Sequence, residues 1–118
     1  MSKIIMKKAL ILGFIAINFA AQAEQKKEFL ASRCSEIAQN VISLVSSQFS
    51  STCVDKLHIA SIQMKTAAAL ILEDAINAAK PKVDNAIAAL QFAELSGCKR
   101  FIQISHSKLE ANEVKHML

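Results

Sequence analysis

Beyond residue 23 the chain contains one glycine, Gly97, and one proline, Pro81. All-β folds use both residues freely at their turns, so this scarcity argues against strands and commits the chain to helices. The stretch from Cys53 to Lys80 sets the plan. On a helix, Cys53, Leu57, Ala60, Met64, Ala68, Ile71, Ala75 and Ala78 form one stripe, while Ile59, Ile62, Ala69 and Leu70 point elsewhere. A helix that is apolar on more than one side needs several neighbours, which makes this the central helix of a bundle.

Further segments flank it. Leu30, Cys34, Ile37, Ala38, Val41, Leu44 and Val45 mark a one-sided helix from Lys26 to Val45 or Phe49. The hydroxyl-rich run Ser46–Thr52 then favours a break, because such side chains compete for backbone hydrogen bonds. Thr52 and Asp55 form a capping arrangement for the central helix. Pro81 has no N–H to donate, so the sequence predicts that it ends the central helix or kinks it sharply, with the next helix spanning about Lys82 to Ser96. Gly97 is a left-handed stop. Phe92 and Leu95 lie off the apolar face and call for cover by the tail. There, Ser107 with Glu110 forms a capping box for a final helix. The expected fold is all-α, a small up-down bundle of three to four helices, with Met64, Ile71, Leu44 and Leu90 deep in its core.

Residues 1–23 read as a cleaved export signal and 24–118 as a single helical domain. Lys3, Lys7 and Lys8 precede the mostly apolar run Ala9–Ala20, and Ala21-Gln22-Ala23 supplies small residues where a signal peptidase cuts. The run is roughly a dozen residues, short of the roughly 20 that a spanning helix requires. This places the mature protein in the periplasm or outside the cell. Processing also changes the charge. Of 14 basic residues, three lie in the signal, leaving 11 against 10 acids and a net charge of +1. Nucleic-acid binding then lacks its electrostatic basis, and membrane contact is not expected once the signal is gone.

The chain offers no HExxH, no CxxC, no phosphate-cradling glycine loop and no GxSxG elbow. Asp55 with His58, His106 with Glu110, and Glu113 with His116 are helix neighbours, but two ligands do not make a metal site. Glu73 and Asp74 diverge by about 100° on a helix, so they are no acid–base pair. Cys98 precedes Lys99-Arg100, which favours a thiolate, yet an exported chain forms disulfides instead. The sequence therefore predicts no enzyme, no metal and no cofactor.

Three cysteines allow three single bridges. With a central helix running to Lys80, the descent from Cys53 is about 40 Å and the next helix climbs about 24 Å. That brings Cys98 level with Cys34 and leaves Cys53 as a free thiol, with Cys53–Cys98 the main rival pairing. The expected function is that of a small exported helical binding protein that docks a protein partner, as inhibitors, immunity proteins and small chaperones of this body plan do. A secreted, membrane-active helical effector is the alternative.

Overall fold

The hydroxyl-rich loop and two left-handed residues, Asp74 and Gly97, cut the chain into four helices. A computed structural model describes the backbone of residues 2–118 and the side chains of 22–118. The export-signal reading of 1–23 falls, apart from Gln22 and Ala23, outside those described side chains. Helix α1 is Ser2–Ser43 and is followed by a 3₁₀ turn, Val45–Ser47. Helix α2 is Ser51–Leu72, α3 is Ile76–Leu95 and α4 is Phe101–Met117. Every described element is helical, so the all-α class stands.

The helices form a closed square. Each packs against its two neighbours in chain order, α4 returns to α1, and among the described residues the diagonal pairs bring no Cα atoms within 8 Å. Short connections make each neighbour antiparallel, the up-down-up-down plan. Cross-links fix the register. Ser61 donates to the Ala38 carbonyl at 2.9 Å between α2 and α1. Lys115 reaches Asp84 at 2.8 Å between α4 and α3. Met64, Ile71 and Leu90 are fully enclosed and Leu44 nearly so, each aliphatic contributing roughly 1.5–3 kcal/mol by leaving water.

The central helix ends earlier than the sequence predicts. Asp74 adopts φ 61°, its N–H bonds the Ile71 carbonyl at 3.1 Å, and the Ala75 N–H bonds that of Leu70 at 2.9 Å. This is a Schellman closure with aspartate where glycine is usual, since a short polar side chain tolerates the left-handed region. Pro81 therefore falls inside α3 rather than before it. Its missing N–H leaves the Asn77 carbonyl without an intrahelical partner, but both residues lie on the exposed face, where water can replace it.

Three other expectations are corrected. Helix α2 begins after Ser50, whose side chain makes no capping bond, so Thr52 and Asp55 do not cap it. Helix α4 begins at Phe101, which places Ser107 and Glu110 in its interior, 3% and 9% exposed, rather than in a capping box. The tail does not cover Phe92 and Leu95, which remain 44% and 81% exposed. The inward stripe of α4 is Ile104, Ser107, Ala111 and Val114, and it fills the fourth corner of the square.

Candidate docking surface at the disulfide pole

The bridge joins Cys53 to Cys98, with Cα atoms 5.6 Å apart, and Cys34 is the free, buried thiol. The predicted Cys34–Cys98 pairing and the free Cys53 are thus corrected. The cause is the α2–α3 turn. From Cys53 to Leu72 the chain descends about 29 Å, and from Ile76 to Leu95 it climbs about 29 Å, so both cysteines reach one pole. Gly97, at φ 71°, closes α3 with a second Schellman motif, in which the Cys98 N–H bonds the Ala93 carbonyl at 3.3 Å. That motif turns the residue after glycine back onto the helix end. Cys98 is thereby aimed at the first turn of α2. Cys34 sits about 14 Å down α1 from its end at Ser43, where burial pushes its thiol up to about 11. It is a core residue with no reactive thiolate.

The loops at this pole are tied together. Gln48 Nε2 donates to the Lys99 carbonyl at 2.8 Å, and the Lys99 N–H donates to Gln48 Oε1 at 2.8 Å. The Lys99 ammonium stands 5.7 Å from the centre of the Phe49 ring. Three side chains remain outside this brace: Phe49, Leu95 and Ile102 are 89%, 81% and 78% exposed, the highest values among large apolar residues described. Arg100 holds φ 66° at the start of α4. It makes no ion pair among the described residues, whereas Glu94, just below, is held by Lys108 and Ser105.

Between α1 and α4 at the same pole lies an open cleft of about 380 Å³. Asn40 of α1 and Leu44 just past its end line one side, and Arg100, which precedes α4, lines the other with Ile102, His106 and Ser107 of α4. Its lower edge is an ionic cluster. Arg33 reaches Glu110 at 3.1 Å and Glu113 at 3.5 Å, and His106 Nε2 lies 3.2 Å from Glu110 Oε1. This cluster pins α4 against α1 and holds His106 at the cleft edge.

The other residue pairs weighed in the sequence do not converge. Asp55 and His58 are both exposed on α2. Glu113 is turned to Arg33, and Asp74 to Lys27 at 3.4 Å. Among the described residues no three metal-binding side chains cluster, and no described helix is long and apolar enough to cross a membrane. A buried disulfide in a chain this small suits an oxidising compartment outside the cytoplasm.

The fold and this pole define a class: a disulfide-braced, antiparallel four-helix bundle with apolar and cationic residues grouped at the braced end. Comparison with protein families, characterised proteins and solved structures finds no match for the chain.

Proposed function

We propose that this is a small exported helical protein, periplasmic or secreted after removal of residues 1–23, that works by docking a protein partner at its disulfide pole. It carries no catalytic role in this reading and needs no cofactor. Inhibitors, immunity proteins and chaperone-like factors act in this way. The observation that carries the proposal is the placement of Phe49, Leu95 and Ile102. These most exposed large apolar side chains all stand at one end, on loops and helix termini held by a disulfide and two hydrogen bonds. Grouped apolar exposure marks interaction surfaces, and a rigid mount lowers the entropy lost on binding.

A second reading, a secreted membrane-active effector, draws on the same residues, because Lys99 and Arg100 beside apolar side chains also suit an anionic bilayer. The test is an affinity pull-down from periplasmic extract with the tagged mature chain. The proposal expects a stoichiometric protein partner that is lost when Leu95 and Ile102 are both changed to serine. Recovery of no stoichiometric protein, together with tight partition into anionic vesicles, overturns it in favour of the bilayer.

A further inference from the structure

We infer that the cleft between α1 and α4 receives a carboxylate-bearing segment of the docking partner, with Arg100 as the anion receptor and Ile102 as the apolar contact beside it. This deepens the reading of the pole as a docking surface and depends on it. The charge arrangement selects the partner. Lys99 and Arg100 are exposed and adjacent, and neither pairs with an acid among the described residues. The carboxylates nearest them on α3 and α4 are engaged: Glu94 with Lys108, and Glu110 and Glu113 with Arg33, about three turns further down the bundle.

An unpaired guanidinium at the mouth of a cleft presents a planar fork that matches a carboxylate, and a charge-assisted pair of this kind is about twice as strong as a neutral hydrogen bond. Asn40 and His106 add polar groups along the lining, while Ile102, 78% exposed, favours an apolar neighbour to that carboxylate. The ligand chemistry is therefore an acidic residue next to an aliphatic or aromatic one. A protein segment supplies both in a strand or helix. A bilayer presents its anions on a flat surface and makes no use of a concave site.

The backbone of Arg100 provides a clean variant. At φ 66° glycine is unstrained, so Arg100→Gly removes the guanidinium while favouring the native turn. Two short fluorescent peptides serve as probes, one alternating Glu with Leu, the other with Lys in place of every Glu. Binding to the intact chain is followed by anisotropy, and the footprint by amide chemical shifts. The expected result is binding of the Glu peptide alone, with shifts at Arg100, Ile102 and His106. Arg100→Gly should weaken it at least about tenfold and Arg100→Lys less, with the helical circular dichroism of both variants unchanged. Equal binding of the two peptides, no binding of the Glu peptide, or full affinity in Arg100→Gly overturns the inference. So does displacement of the Glu peptide by anionic vesicles, which assigns the cation to lipid. A captured partner that covers the pole through a segment without carboxylates overturns this inference and leaves the docking function standing. Loss of all capture removes the docking function itself.

Discussion

Opening the Cys53–Cys98 bridge should cost the fold a large share of its stability. The two cysteines are 45 residues apart, and in the chain-entropy account closing a loop of that length removes about 4 kcal/mol of unfolded-state freedom. Domains of this size are held by roughly 5–15 kcal/mol in total. For about 95 ordered residues each kilocalorie shifts the melting temperature by about 4–8 °C, so reduction should lower it by about 15–30 °C. The structure also says where the loss falls. The bridge ties the start of α2 to the end of α3, and the Gln48–Lys99 bonds sit directly above it. Urea unfolding followed by circular dichroism, with and without dithiothreitol, measures the effect, and the Cys53→Ala/Cys98→Ala variant reports the same quantity without reductant. Hydrogen exchange in the reduced protein should rise first at residues 48–54 and 96–102. A midpoint unmoved by reduction, or a Cys34–Cys98 peptide in an unreduced digest, would refute the reasoning, because either means that α2 and α3 do not return to a common pole.

Ile71→Ala, at a fully enclosed position near the end of α2, should cost about 2–5 kcal/mol in urea unfolding. Pro81→Ala restores an N–H to the interior of α3 and should stabilise by about 1–3 kcal/mol in the same assay; a boundary proline would give a loss instead. For Cys34 the folded value is raised from 9.0 to about 11, so its contribution is complete below pH 9 and is lost as pH rises through 11. The full loss is about 3 kcal/mol, and Cys34→Ala should flatten this part of the stability curve. Burial raises the Glu94 carboxyl, but hydrogen bonds from Lys108 and Ser105 and the Lys108 charge outweigh it and hold the value below the ordinary 4.5. Its contribution is therefore present above that pH and lost on acidification through the lower folded value, a slope that Glu94→Gln should remove from an acid titration.

Much of the bundle is written locally. The stripes of α1 and α2, the hydroxyl-rich break and the Gly97 stop each depend on neighbours within a turn, and each is where the sequence places it. What misleads is competition between two punctuators seven residues apart. Pro81 carries the stronger stop signal in isolation, while Asp74 closes α2 through a left-handed turn whose stability depends on docking Leu70 and Ile71 against the rest of the bundle. Once that turn is misplaced the helix heights are wrong, and the cysteine pairing inherits the error. The sequence did hold the missing signal: Gly97 followed by Cys98 puts the thiol at the position that a Schellman turn folds back. Helix α4 is harder to read, because its buried stripe contains Ser107 and Glu110. A glutamate on a core-facing stripe is intelligible only when Arg33 on another helix is known to meet it. The disulfide pole is legible only in part. The basic pair Lys99-Arg100 is visible in the sequence, but its meeting with Phe49 and Leu95 is a matter of topology alone.

The central claim is that the disulfide pole is the face this protein presents to a partner. The most direct measurement is site-specific photo-crosslinking in the producing cells, with the probe placed in turn at Phe49, Leu95 and Ile102 and, at the opposite pole, at Glu73 and His116. A single discrete protein adduct is expected from the first three positions and none from the last two. Adducts formed only at Glu73 or His116, or none at any position, would contradict it.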